Sequence, residues 1–207
     1  MDQQVNPLAA ALAKLSEYDF VLVVDKSGSM GETDMPGNRS RWEAMQETAV
    51  GFARDISQID SDGIGLVLFS GTGVVVEDNC GVDKVKHVFA NNRPSGSTPL
   101  AEALTAAFKL AGKSAKKDFV LVFTDGVPDS EADAAKVLVE QANKQESDDA
   151  LTVLFVQVGY DARAAAYLRQ LDDNLKGAKF DIVDAKSMQE AEKFSSTAEL
   201  VLAAIND

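Results

Sequence analysis

The sequence has almost nothing with which to build a soft-metal or redox centre. Among its 207 residues there is one cysteine, Cys80, and one histidine, His87. A single thiol excludes an internal disulfide, a redox pair and a cysteine-based zinc cluster, and a single imidazole removes most histidine-based metal sites. Both lie in one short polar segment between Glu77 and Pro94. There Cys80 reads as a small buried or loop residue and His87 as a helix-surface residue, not as a dyad. Positive charge is scarce as well: 20 Lys and Arg stand against 33 Asp and Glu, a formal net charge of −13. Such a surface repels nucleic-acid phosphates and anionic lipid headgroups, and it favours cations or partners that carry positive charge. No apolar run approaches the ~20 residues needed to cross a bilayer. Met1-Asp2-Gln3-Gln4 lacks the basic start of a signal peptide, and Leu8–Leu15 is interrupted by Lys14. These absences lead to the expectation of a soluble, cytoplasmic chain that binds neither nucleic acid nor membrane.

What is present is an ordinary globular composition, 45% hydrophobic and 26% charged, in a length that suits one well-buried domain. Short continuous apolar runs occur at Tyr18–Val24, Ile64–Phe69, Phe119–Phe123, Leu151–Val158 and Phe180–Val183. Runs of this kind suit strands covered on both faces. Between them, apolar residues recur at helical spacing: Trp42 to Ile59, Leu100 to Ala111, Ala134 to Ala142, Ala164 to Leu175, and Ala191 to Ile205. Only Gly71-Thr72-Gly73 breaks the alternation. It is too short for a crossover, so Val74–Val76 is expected as an antiparallel strand at the sheet edge. The pattern predicts a doubly wound α/β domain over residues 17–207, preceded by a short N-terminal segment or helix over residues 1–16.

In such a sheet, ligands bind outside the carboxyl ends of strands where the strand order reverses. The first strand runs into Asp25-Lys26-Ser27-Gly28-Ser29-Met30, and the Phe119–Phe123 strand runs into Thr124-Asp125-Gly126. A polar loop, Pro94-Ser95-Gly96-Ser97-Thr98-Pro99-Leu100, precedes a helix. Asp25, Ser27 and Ser29 alternate, so one turn aims three oxygens at a point while Gly28 lets the turn bend; Thr98 and Asp125 close the set from two other loops. All the donors are carboxylate or hydroxyl oxygens, which suits a hard divalent cation, magnesium first. Each residue taken alone is also an ordinary turn or helix-cap residue. It is the set of five in this order that favours metal.

The D-x-S-x-S pattern of Asp25, Ser27 and Ser29, with Thr98 in G-S-T-P-L and Asp125 in T-D-G, resembles a von Willebrand factor A domain with a metal-ion-dependent adhesion site. The resemblance covers roughly Asp19 to the C-terminus. It implies a Rossmann-like six-stranded sheet in the order 3-2-1-4-5-6 with the third strand antiparallel. It also implies that Ser27, Ser29 and Thr98 ligate the ion directly and that Asp25 and Asp125 hold coordinated waters. The ion then stays electrophilic and takes an Asp or Glu of a partner protein. Magnesium is the expected ion, with manganese and calcium as alternatives. Intracellular bacterial members of the family often accompany ATPases, chaperone-like assemblies or stress-response operons. That is what the resemblance offers for a partner.

Around the five, Glu32, Asp34 and Asp129 read first as solvated loop acids; the alternative is that they sit near the ion and add negative charge, which favours calcium or competes with a partner's carboxylate. Arg39 and Arg41 read as loop anchors, as contacts for an acidic partner, or as surface residues at a helix start, and the Gly31–Ser40 loop as the place for partner specificity. The same residues admit rival readings. Gly112-Lys113-Ser114 is no phosphate-binding P-loop, because Ala107 stands where a glycine is needed and the segment follows a helix. An aspartyl phosphotransferase wants a carboxylate where Ser27 stands, and a serine nucleophile lacks a base. A Rossmann-like domain using Ser27-Gly28-Ser29 as a phosphate cradle, with phosphoester- or nucleotide-directed activity, is the second reading; a purely structural module is the third. The leading expectation is a metal-dependent protein-interaction module that is not an enzyme.

Overall fold

Tyr18–Asp25 is apolar on both faces, and a strand of that kind is stable only where helices cover both sides of the sheet. In the computed structural model, which describes residues 13–205, this segment is β1 and lies at the centre. It pairs in parallel with β2 (Ile64–Ser70) on one side and β4 (Lys117–Thr124) on the other. β3 (Gly73–Cys80) folds back antiparallel on β2, and β5 (Leu151–Gln157) and β6 (Val183–Ser187) extend the far side in parallel. The order is β3-β2-β1-β4-β5-β6, the doubly wound sheet with one antiparallel edge strand that the sequence predicts.

Alternate residues of β1 feed two cores. Phe20, Leu22 and Val24 face α1 (Arg41–Ile56), α2 (Val82–Ala90) and α7 (Thr197–Ile205). Val21 and Val23 face α3 (Leu100–Leu110), α4 (Glu131–Ala142) and α5 (Ala162–Asp173). In the first core the Phe52 ring meets Phe20 edge-on, with centroids 5.7 Å apart, and Phe119 lies 6.2 Å from Phe20 on the next strand. α1 starts from a capping box: Ser40 Oγ accepts from Glu43 N while the Glu43 carboxylate accepts from Ser40 N. This fixes Arg41 as the first residue of the helix, a placement that matters for the site.

Several boundaries differ from the sequence reading. The last strand is Val183–Ser187 and not Phe180–Val183. β6 is an edge strand, so its Asp184 and Lys186 alternate with Val183 and Ala185, while Phe180 and Ile182 lead in and pack on the second core. The stripe from Ala191 to Ile205 is not one helix. α6 (Met188–Ala191) ends in turns, and α7 restarts where Ser196 Oγ accepts from Glu199 N and the Glu199 carboxylate accepts from Ser195 N and Oγ. The edge strand runs on from Val76 to Cys80. Cys80 is fully buried, with burial pushing its thiol up to about 11, and His87 is exposed on α2, so the two form no dyad. The expected helix over Leu8–Leu15 lies largely outside the described residues; residues 13–15 are helical and Leu15 is buried in the first core. Among the described residues no helix is long and apolar enough to cross a membrane.

The aromatic contact across β1, β4 and α1 gives a direct test of this packing. Phe52→Ala is expected to lower stability by about 3–5 kcal/mol in urea unfolding; a loss under about 1 kcal/mol would contradict the packing.

Candidate cation site at the ends of β1 and β4

The parallel register of β1 with β4 sets Val24 opposite Phe123 and so brings the following residues, Asp25 and Thr124, side by side. Asp25 is fully buried, and both of its oxygens are engaged: Oδ1 accepts from Ser27 N at 2.7 Å and Oδ2 from Thr124 Oγ1 at 2.8 Å. Burial outweighs these bonds and pushes its carboxyl up to about 6. The chain then turns through a short 3₁₀ helix, Gly28–Gly31. The turn places Ser27 Oγ 3.2 Å from Ser29 Oγ, and Ser29 Oγ donates to Asp125 Oδ1 at 2.8 Å. Four of the five residues singled out by the sequence therefore form one hydrogen-bonded chain, Asp25 joined through the Ser27 backbone N–H and the other three through side-chain oxygens.

Thr98 reaches the same end of the sheet through its loop. Gly28 N donates to Gly96 O at 3.0 Å, Ser95 N to Lys26 O at 2.8 Å and Gly71 N to Ser97 O at 2.9 Å, stitching the loop to the ends of β1 and β2. Gly96 sits at φ +80°, and a Cβ there would lie 3.1 Å from Gly71 N, so only glycine allows the close approach. Thr98 is buried, facing Gly126 just beyond Asp125. It is not a helix cap: the N-cap of α3 is Pro99, without a side-chain bond. Lys26 turns away and ties β1 to the β2–β3 hairpin, its Nζ donating to Ser70 Oγ at 2.8 Å and Thr72 Oγ1 at 3.0 Å.

Two of the surrounding residues have roles beyond those the sequence suggests. Asp129 is no free loop acid: its carboxylate accepts from Thr98 N at 3.0 Å and Ser97 Oγ at 2.7 Å, bracing the threonine loop. Arg41 folds back from the first turn of α1 into the site. Its Nη1 donates to Asp125 Oδ2 at 2.8 Å, and its other nitrogens pair with Asp34 at 2.5–3.2 Å and Glu32 at 2.8 Å. The Arg41 hydrogen bonds hold the Asp34 carboxyl below its usual range. Gly159, after β5, backs the guanidinium: a Cβ there would lie 2.8 Å from Cζ. Arg39 anchors the loop by pairing with Glu47 and donating to Pro36 O. Contacts between α1, a loop and β5 leave no local pattern, which is why sequence spacing does not reveal the role of Arg41.

The donor set fits a hard divalent ion. Around an octahedral magnesium with bonds of about 2.1 Å, adjacent ligand oxygens stand about 3 Å apart. The separation from Ser27 Oγ to Ser29 Oγ, 3.2 Å, is close to that edge, and Ser29 Oγ reaches Asp125 Oδ1 at 2.8 Å, an ordinary hydrogen bond. Among the described residues no group of three or more His, Cys, Asp or Glu side chains is set to hold a metal, so a site here relies on hydroxyls alongside two carboxylates.

The family model of the von Willebrand factor type A domain matches residues 20–127, from β1 to just past Asp125. No curated protein matches the chain. Among solved structures, the PilB minor pilin of Streptococcus sanguinis is similar at 15% identity and TM-score 0.68, over 91% of this chain and 60% of the pilin. The chain thus spans less than two thirds of that relative. Manganese-loaded TRAP of Plasmodium vivax is similar at 17% identity and TM-score 0.60, over 88% of this chain and 74% of TRAP. The SpRpn10 VWA domain is similar at 10% identity and TM-score 0.58, over 83% of this chain and 87% of that domain. At these identities the likeness concerns the fold. The pilin likeness corrects one expectation: proteins of pili share this architecture, so the cytoplasmic assignment does not stand. The missing basic start at Met1-Asp2-Gln3-Gln4 and the lone cysteine, on which that expectation rested, do not fix a compartment, since the sheet is held by packing and needs no disulfide. The family match spans 108 of the 207 residues and takes in all five oxygen donors, and so the chain belongs to the von Willebrand factor type A domain family.

Proposed function

We propose that this von Willebrand factor A domain, a protein-interaction module, works through a divalent cation held by Ser27, Ser29 and Thr98 hydroxyls, with Asp25 and Asp125 behind them. The observation that carries the reading is the convergence of the Ser27, Ser29 and Asp125 oxygens at the ends of β1 and β4, with the Ser27 and Ser29 hydroxyls 3.2 Å apart, close to an octahedral edge. Magnesium is the ion of choice, because few protein groups at close spacing suit it better than calcium. That TRAP, a similar fold, is manganese-loaded is in keeping with a divalent ion here. When bound, the ion supplies a Lewis-acidic position for one carboxylate oxygen, from an Asp or Glu of a partner protein. The chain's own residues do the rest. Hydroxyl ligands add no charge to the ion, Asp25 and Asp125 balance it from the buried side, and Gly31–Ser40 forms the neighbouring surface.

Binding, not turnover, is the activity proposed. Clefts of about 620 Å³ between α4 and α5, and about 730 Å³ between α3, α4 and the β3 edge, lie away from the five residues. A phosphate cradle at Ser27-Gly28-Ser29 would place a phosphate against Asp125, 2.8 Å from Ser29 Oγ.

Thermal unfolding after chelator treatment, with magnesium, manganese and calcium titrated back, tests the reading. At a hundred times its dissociation constant an ion that binds only the folded chain adds ~2.7 kcal/mol. Ser27→Ala and Asp125→Ala should abolish the response, and a wild type that responds to none of the three ions would refute the reading.

The burial of Asp25 yields a pH prediction. Its folded value near 6 lies above the 3.8 of an ordinary aspartate. The ion-free chain is therefore favoured by acid: the advantage is full below pH about 3.8 and is lost as pH rises through about 6. At pH 7 in chelator, Asp25→Asn is expected to stabilise the chain by up to about 3 kcal/mol while weakening ion binding. Equal stability of the two proteins from pH 4 to 7 would contradict it.

A further inference from the structure

An ion that is to capture a partner's carboxylate needs its outward position kept free, and the nearest competitors are acids of the same chain. Glu32 and Asp34 stand on the loop beside the site, and both bind the guanidinium whose Nη1 is 2.8 Å from Asp125 Oδ2. They are thus one guanidinium's width from the site's own carboxylate. Nothing else described holds the Asp34 carboxylate as closely as Arg41, which meets it at three separations of 3.0, 3.2 and 2.5 Å. The loop neck is closed by the same residue, since Arg41 N donates to Glu32 O at 3.0 Å. The third nearby acid, Asp129, is occupied by Ser97 and Thr98. The arginine itself is fixed from both ends, by the capping box at Ser40 and by Gly159, where any side chain would displace the guanidinium.

We propose that Arg41 is a specificity-determining positioning residue: by pairing Glu32 and Asp34 to itself while it holds Asp125, it withholds two in-chain carboxylates from the cation and keeps the partner-facing position open. The inference rests on the proposed cation site. Charge dictates the consequence of its loss. With Arg41 gone, one positive charge leaves and two carboxylates are released beside the ion. Extra carboxylate ligands on a flexible loop favour calcium over magnesium and displace bound water.

The test compares wild type, Arg41→Gln, Gly159→Ala and the combined variant Arg41→Gln/Glu32→Gln/Asp34→Asn. Calcium and magnesium affinities are measured by calorimetry, and water exposure of bound manganese by proton relaxation. Arg41→Gln is expected to raise the calcium-to-magnesium affinity ratio about tenfold or more and to lower the relaxation enhancement. The combined variant should return both towards wild type, which a merely structural role for Arg41 would not do. Gly159→Ala, which keeps every charge but crowds the guanidinium and also strains the backbone at φ +73°, should move both in the direction of Arg41→Gln. If Arg41→Gln folds poorly, Arg41→Lys, which keeps the charge but cannot hold both acids with one planar fork, should move both in the same direction. A ratio and relaxation unchanged in both single variants, or no rescue in the combined variant, would overturn the proposal alone. A wild type that binds none of the three ions would overturn the cation site beneath it as well.

Discussion

Burying two carboxylates at one end of a sheet is costly unless their oxygens find donors, and that requirement organises the functional end of this domain. Asp25 is satisfied by Thr124 on the neighbouring strand and by Ser27 N in the turn, which ties the β1–β4 register to the shape of the turn. Asp125 is satisfied by Ser29 and by Arg41, which ties the same strands to the start of α1 and the loop before it. The threonine loop is drawn in separately, by backbone bonds at Gly96 and Ser95 and by Asp129. Two strands, two loops and one helix start thus meet at a point because two acids must be solvated by protein.

The two cores below serve this end. β1 is covered on both faces, so its last residue is held rigidly, and the aromatic contact among Phe20, Phe52 and Phe119 packs α1 on β1 and β4. That packing sets where Arg41 begins the helix. A network tied to several elements is preorganised: the Ser27 and Ser29 hydroxyls already stand 3.2 Å apart with Asp125 behind them. Little rearrangement is then needed to receive a cation. The net charge of −13 works in the same direction, drawing cations to the surface before any contact is made.

The sequence made much of this visible. Continuous apolar runs located β1, β2, β4 and β5, since strands buried on both faces leave an unmistakable pattern, and Gly71-Thr72-Gly73 marked the one antiparallel return. The alternation Asp25, Ser27, Ser29 marked a turn after a strand, and the site chemistry was readable because those ligands are near in sequence. Less visible were features set by long-range contact. β6 alternates as an edge strand does, so the apolar run before it was read in its place. Serine caps divide the last helical stripe, and an apolar stripe alone does not register them. Arg41 was legible as a loop anchor or a helix-start surface residue but not as part of the site, because its partners Asp125 and Gly159 are more than eighty residues away. The compartment was not legible at all: scarcity of cysteine constrains disulfides, not location.

The most direct test of the central claim is an anomalous-scattering map from crystals of the wild-type chain grown with manganese. The account predicts one strong peak at the ends of β1 and β4, roughly 2.0–2.3 Å from Ser27 Oγ, Ser29 Oγ and Thr98 Oγ1, with Arg41 still paired to Asp34. No peak there, or a peak held instead by surface acids remote from Ser27 and Ser29, would contradict it.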